Sequence, residues 1–152
     1  MNYLELLQTA DALLSEQPTS ISLMANASAF LHDTISDLNW VGFYLYDGNK
    51  LHVGPFQGHV ACATIALGSG VCGEAAKNNK TMVVADVLRH DNHIACDANS
   101  RSEVVVPLMI HQKLYGVLDV DSSLFNRFDE ALVAFLEEFA KIVLKQLTNL
   151  NL

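Results

Sequence analysis

The stretch EVVVPLMIHQKLYGVLDVD, residues 103–121, decides the fold of this chain. Its two apolar runs, 103–110 and 114–120, are rich in β-branched residues and are typical of paired strands. His111, Gln112 and Lys113 lie between the runs, a connection short enough for a tight turn. The stretch therefore predicts an antiparallel hairpin that closes a buried sheet.

Three carboxylates lie at the end of this hairpin that is remote from the turn. Asp119 and Asp121 are two residues apart on one strand, so their side chains project from the same face. A three-residue turn would pair Ile110 with Leu114. In that register Glu103 lies opposite Asp121 and all three acids share the face, whereas a two-residue turn would need a bulge to achieve this.

Carboxylates held this close repel one another, so the pKa of at least one should rise. Such a group could donate a proton while the others hold an ammonium group. The competing interpretation is that Glu103, Asp119 and Asp121 are strand-end acids that face solvent.

Apolar spacing predicts the remaining elements. Helices are expected within residues 2–37, at 71–78 and at 129–149. Further strands are expected at 38–46, 51–56, 61–67 and 81–85. The segment 86–100 has no clear period, and loops of that length are usually functional or disordered.

This order of elements indicates one α+β domain over residues 1–152. We expect a mostly antiparallel sheet, with its strands and loops in 38–123 and with helices packed on one side. The long terminal helix is also a candidate interface for a homodimer.

The composition narrows the possible functions. With 51% hydrophobic residues the chain is not disordered, and no apolar run reaches the roughly 18 residues of a membrane span. A net charge of -8, with nine Lys and Arg, argues against nucleic-acid binding. The N-terminus shows no secretory signal, and an odd number of cysteines argues against a disulfide-stapled secreted fold. We therefore expect a cytoplasmic globular protein that acts neither on membranes nor on nucleic acids.

The three cysteines, Cys62, Cys72 and Cys96, lie within one stretch of 35 residues. Zinc ligation would also need the nearby histidines His59, His90 and His93. None of the spacings matches the short ligand pairs of a structural zinc site, so we expect no metal.

Redox chemistry suits these thiols better. Cys72 lies where a glycine-rich turn enters a short helix, and a helix N-terminus lowers the pKa of a thiol. Cys96 ends the polar loop, near Arg89 and Arg101 in sequence. Cys62 lies in an apolar strand and should be the least reactive of the three. The competing interpretation, equally weighted from spacing alone, is that all three are small core residues.

An aromatic strand offers a wall for a pocket. Trp40 and Tyr44 are four residues apart, so their side chains share one face of the strand. Aromatic strands more often fill a core, and the sequence leaves both interpretations open.

Six short motifs occur in the order and spacing of a known family. They are GPFQG (54–58), AC (61–62), GVCG (70–73), HIACD (93–97), SEVVVP (102–107) and GVLDVDS (116–122). Together they resemble the free methionine-(R)-sulfoxide reductases, single-domain enzymes of the GAF fold, from about residue 40 to 130. A GAF fold alone says little about activity, because one fold hosts many functions. The specific signal is the three cysteines and three acids in these contexts.

The resemblance implies a role for each thiol. Cys96 corresponds to the cysteine that attacks the sulfoxide. Cys62 and Cys72 correspond to the cysteines that afterwards form a disulfide with it, and the order in which they act stays open.

The resemblance also implies a substrate pocket. Trp40 corresponds to the tryptophan over the substrate methyl group, and Tyr44 to a second pocket aromatic. The acids that bind the substrate amine and assist the sulfoxide oxygen correspond to Glu103, Asp119 and Asp121. Ile94 and Ala95, next to the attacking cysteine, are expected to contact the substrate.

The implied reaction is the reduction of free L-methionine-(R)-sulfoxide to L-methionine, with thioredoxin as reductant and without a cofactor. The acids would select the free amino acid, because a peptide amide offers them no charge. Two other classes stay open: a non-catalytic GAF sensor of a small ligand, and a thiol-based oxidant sensor.

Overall fold

The computed structural model of the protein describes residues 2–150. Its helices are α1 (Tyr3–Ser15), α2 (Ser20–Thr34), α3 (Gly70–Asn78) and α4 (Glu130–Asn149). Its strands are β1 (Leu38–Tyr46), β2 (Lys50–Gln57), β3 (Thr64–Ala66), β4 (Met82–Val84), β5 (Ser102–Ile110) and β6 (Lys113–Ser122). The strands form one sheet in the order β3-β2-β1-β6-β5-β4, and every neighbouring pair is antiparallel. This architecture confirms the predicted α+β class.

Local sequence sets where two of the long helices begin. Thr19 and Ser22 form a capping box at the start of α2, in which each side chain accepts the backbone N–H of the other, at 3.1 and 3.2 Å. At the start of α4 the Asp129 carboxylate accepts the N–H of Leu132 at 2.8 Å. These bonds satisfy N–H groups that a helix leaves free in its first turn.

The hairpin turn is shorter than a three-residue connection. Ile110 pairs with Lys113, so Lys113 belongs to β6 and only His111 and Gln112 connect the strands. Both turn residues have positive φ, 51° and 65°, as a type I′ turn requires.

A bulge corrects the register that this short turn would otherwise shift. The pairing slips by one residue between Leu108 and Met109, which leaves Tyr115 without a direct partner. Beyond the bulge Glu103 lies opposite Asp121, as the sequence predicts. Because side chains alternate along a strand, the extra residue is what brings the three acids to one face.

The two faces of the sheet carry different cores. On one face α1, α2 and α4 bury a large apolar core that includes Phe43, Val104 and Leu118. The opposite face packs against the short helix α3, and its core includes Trp40 and Cys72. The long helices therefore lie on one side, as predicted, while α3 covers the face that carries the acids.

Two edge strands are shorter than predicted. β3 covers only Thr64–Ala66, where the sequence suggested 61–67, and β4 covers Met82–Val84. Cys62 consequently lies in the loop before β3 and not in an apolar strand. Between β4 and β5 the only regular structure is a 3₁₀ turn at Val87–Arg89. Within residues 2–150 no helix is long and apolar enough to cross a membrane.

Candidate active site

The three acids are buried beneath α3. Glu103, Asp119 and Asp121 are only 7%, 5% and 7% exposed, so the interpretation of solvent-facing acids is wrong. Together with Cys72 and Cys96, they line a cavity of about 390 Å³, a volume that includes its opening to solvent. The register of the hairpin therefore builds a buried carboxylate cluster.

No lysine or arginine lines this cavity among the described residues. Arg101, which lies near Cys96 in sequence, instead donates to the backbone carbonyls of Ala98 and Ser100. The Arg89 side chain is 89% exposed and pairs with Asp86. Among residues 2–150, no Lys or Arg pairs with these carboxylates, so they are suited to a ligand that carries an ammonium group.

Burial sets the protonation of the acids. Desolvation, followed by the charges of Asp121 and Glu103, raises the pKa of Asp119 well above its ordinary value. Desolvation and the charge of Glu103 likewise raise the pKa of Asp121. The predicted rise in pKa is confirmed, and it makes these carboxyls candidate proton donors.

Cys72 contradicts its predicted reactivity. It lies in the first turn of α3, but it is fully buried, and desolvation and the charges of Asp119 and Glu103 raise the pKa of its thiol. The polar atoms of Cys72, Glu103 and Asp119 all lie within 4.8 Å of one another, close enough to hold one metal ion. Asp119 Oδ1 is buried without a hydrogen-bond donor among the described residues.

Cys62 and Cys96 are joined by a disulfide, with Cα atoms 5.2 Å apart. Cys62 was expected to be the least reactive cysteine, but its place in a loop brings it to Cys96. The Tyr44 hydroxyl donates to the carbonyl of Cys62 at 3.1 Å, which ties this loop to β1. Cys96 lines the carboxylate cavity, so the disulfide forms part of the cavity wall.

Trp40 and Tyr44 form an aromatic wall beside the disulfide. Their ring centroids are 5.8 Å apart, and Trp40 also stacks on Phe56 at 5.0 Å. The indole N–H donates to the carbonyl of His59 at 3.2 Å. Gly58 has a φ of +146°, and a Cβ there would lie 2.5 Å from the Trp40 ring. Both aromatics line a second, smaller cavity, which shares Cys96, Asp119 and Asp121 with the carboxylate cavity.

The loop before β5 covers the cavity. Ile94 lines it and lies over Gly70, whereas Ala95 is exposed and does not line it. Sequence reasoning missed three further lining residues of this loop: His93, Asp97 and Ser100. The motif HIACD contained a signal for the first two.

Asn39 was also missed, and no sequence signal marks it. From β1, its amide donates to Asp97 Oδ2 at 3.0 Å and to Ser100 Oγ at 3.1 Å. Asn39 therefore ties the loop to the sheet just after Cys96.

The parts combine into a site for thiol chemistry on a small molecule that carries an ammonium group. A cysteine that forms a disulfide lines a cavity with Asp119 and Asp121, whose pKa values are raised, and the aromatic wall offers an apolar surface. A nucleophilic thiol and a proton donor that face one cavity can together cleave a polar bond.

Comparisons with known proteins agree with this chemistry. The GAF domain family model matches residues 7–147. The chain is 44% identical over 128 residues to the free methionine-R-sulfoxide reductase of Escherichia coli K12, covering 84% of this chain and 78% of that protein. It is 48% identical to fRMsr of Staphylococcus aureus in its reduced form, with a TM-score of 0.92 over 96% of this chain and 95% of that one. The free methionine-R-sulfoxide reductase from Neisseria meningitidis in complex with its substrate is 40% identical, with a TM-score of 0.94 over 98% of this chain and 90% of that one. The chain therefore belongs to the GAF domain family and, within it, to the free methionine-R-sulfoxide reductases.

Proposed function

We propose that this protein reduces free L-methionine-(R)-sulfoxide to L-methionine, with Cys96 as the attacking thiol. The observation that carries the proposal is the Cys62–Cys96 disulfide in the wall of a buried carboxylate cavity. A GAF domain that only senses a small ligand needs no such disulfide. A thiol sensor of oxidants needs no buried acids.

The reaction begins when the Cys96 thiolate attacks the sulfoxide sulfur. A carboxyl of the cluster, that of Asp121 or Glu103, transfers a proton to the sulfoxide oxygen. The protonated oxygen moves from the substrate sulfur to Cys96 Sγ as the bond between the two sulfurs breaks. Methionine leaves reduced by two electrons, and Cys96, oxidised by two electrons, becomes a sulfenic acid. The Cys62 thiol then displaces the sulfenic hydroxyl as water and forms the disulfide.

A dithiol such as thioredoxin closes the cycle by exchange with the disulfide. One thiolate of the reductant attacks a sulfur of the Cys62–Cys96 pair, and its second thiol resolves the mixed disulfide. The enzyme returns with two thiols, and the reductant leaves as a disulfide. This recycling suits the cytoplasm, where dithiol reductants are kept reduced.

The cavity favours a free amino acid over a peptide. The ammonium group of free methionine sulfoxide can pair with carboxylates that have no Lys or Arg partner in the cavity. A peptide amide would leave these buried acids without a partner, and unpaired buried polar groups are strongly disfavoured. We assign the ammonium to Asp119 and its neighbours, and the methyl end of the substrate to Trp40 and Tyr44.

We further propose that Cys62, rather than Cys72, resolves the sulfenic acid. After one turnover of the reduced enzyme, peptide mass mapping should find a Cys62–Cys96 disulfide in the wild type and in Cys72→Ser. Activity of Cys72→Ser should stay within roughly tenfold of wild type, because a serine hydroxyl can also donate to Asp119. Cys62→Ser should release methionine but leave Cys96 without a disulfide partner. A Cys72–Cys96 disulfide in the wild type would contradict this assignment.

A further inference from the structure

The loop that carries Cys96 is anchored by backbone hydrogen bonds mainly near its ends. The N–H of Val87 donates to the carbonyl of Arg101 at 2.8 Å. Backbone bonds within residues 90–96 instead join the loop to itself, as between the N–H of Cys96 and the carbonyl of Ile94 at 3.0 Å. The position of this part of the loop therefore depends on side chains.

Those side chains converge on Glu74 of α3. Glu74 Oε1 lies 2.9 Å from His90 Nε2 and accepts Asn92 Nδ2 at 2.8 Å. Because a carboxylate only accepts hydrogen bonds, His90 Nε2 carries the proton in this contact. The side chains of Glu74 and His90 are 20% and 22% exposed, so the contact is better shielded from water than a surface ion pair. Asn92 also donates to the carbonyl of Gly68 at 2.7 Å, beside the start of α3.

Other attachments hold the loop after residue 92. Ile94 packs over Gly70 of α3. Asn39 binds Asp97 and Ser100, beyond Cys96. The Cys62–Cys96 disulfide is a further attachment, and reduction removes it. In the reduced enzyme, which must attack the sulfoxide, the side-chain hydrogen bonds that hold the loop to α3 before Cys96 are therefore those to Glu74.

We propose that Glu74 is a positioning residue that holds residues 90–96 against α3, so that the reduced Cys96 thiol faces the carboxylate cavity. The inference rests on the proposed function, in which reduced Cys96 is the nucleophile. Glu74 does not line the cavity, so it acts through His90 and Asn92 and not on the substrate. Displacing a reacting atom by about 1 Å can slow a reaction by roughly 10²-fold, so a loose anchor has a measurable effect.

The test is the rate of methionine release in a single turnover of reduced enzyme with free methionine-R-sulfoxide. Glu74→Ala should lower this rate by roughly tenfold, because Cys96 then samples positions away from the cavity. Glu74→Gln keeps an acceptor oxygen for Asn92 and should restore the rate to within about threefold of wild type. Glu138→Ala is the matched control, since it removes a helix carboxylate that pairs with Lys141 on α4, away from the site.

A second readout separates positioning from simple stability. Glu74→Ala should lower the Tm of the reduced protein more than that of the disulfide form, which keeps its covalent anchor. If Glu74→Ala does not fold, the variants His90→Ala and Asn92→Ala remove the same two contacts one at a time, and each should slow methionine release.

The outcomes are distinguishable. If the wild type releases methionine and Glu74→Ala does so equally fast, the positioning role is wrong. Equal losses of Tm in both redox forms, with no change in rate, would also overturn it. If the wild type releases no methionine at all, the proposed function fails, and the positioning role fails with it.

Discussion

Cys96→Ser is expected to abolish the reduction of free methionine-R-sulfoxide, with a loss on the order of 10⁴-fold or more. A serine hydroxyl is almost never ionised near neutral pH and is a much weaker nucleophile than a cysteine thiolate. The variant also cannot form the sulfenic acid that Cys62 captures. The measurement is the amount of methionine, determined by chromatography, that forms when reduced protein is incubated with the sulfoxide and excess dithiol.

Cys62→Ser provides the matched control, because it removes the same disulfide but keeps the proposed nucleophile. It should release about one methionine per protein in the first turnover, since the attack on the sulfoxide precedes disulfide formation. Comparable turnover by Cys96→Ser and the wild type would contradict the assignment of Cys96.

Asp121→Asn is expected to slow the reaction by roughly 10²- to 10⁴-fold while it stabilises the fold at neutral and higher pH. The amide cannot supply the proton that the sulfoxide oxygen needs. The amide is also uncharged, so Glu103 does not repel it. The Asp121 carboxyl, by contrast, is destabilised when it ionises, because burial and the charge of Glu103 raise its pKa. Activity and stability should therefore change in opposite directions.

The pH dependence of stability follows from the direction of this pKa shift. A carboxyl whose pKa is raised on folding contributes most below its ordinary pKa of about 4, and this contribution is lost as pH rises through the folded-state pKa. The Tm of Asp121→Asn minus the Tm of the wild type should therefore increase as pH rises above about 4. Glu138→Gln, on the exposed face of α4, should show no such trend. Equal activity of Asp121→Asn and the wild type would exclude a role in proton transfer.

The sequence predicted the pairing of Glu103 with Asp121, and it left the turn open between three residues and two residues with a bulge. The alternation of Asp119 and Asp121, together with an assumed connection of three residues, led to Glu103 opposite Asp121. The structure reaches the same register through a two-residue turn and a bulge at Tyr115. A bulge is a single extra residue and leaves no distinct hydrophobic pattern, so the periodicity of the sequence could not show where the bulge lies.

The reactivity of the cysteines was harder to predict because two opposing effects act on Cys72. A helix N-terminus stabilises a nearby charge by about 0.3–1 kcal/mol. Full burial can shift a pKa by 3–5 units, and each unit corresponds to about 1.4 kcal/mol. Burial beside three acids therefore outweighs the helix, and the thiol keeps its proton. That burial depends on how α3 packs against the sheet, which the local sequence does not record.

The sequence did not reveal the residues that position the loop without contacting the substrate themselves. Asn39 and Glu74 both hold the loop that carries Cys96, from β1 and from α3. Each lies more than fifteen residues from its partners in the chain, so only the folded structure shows the contact. The aromatic wall was easier to predict, because Trp40 and Tyr44 share one strand and its period of two fixes their common face.

Selectivity for the free amino acid and for one sulfoxide configuration tests the central proposal most directly. Reduced protein would be given four substrates in turn: methionine-R-sulfoxide and methionine-S-sulfoxide, each free and with the amine acetylated and the carboxyl amidated. We predict reduction of the free R form alone, because the buried carboxylates need the ammonium group and because the relatives that this chain matches are named for the R form. Reduction of the blocked R form at a rate similar to that of the free R form would contradict the role of the acids. If none of the four sulfoxides is reduced to its thioether, the proposed function itself is contradicted.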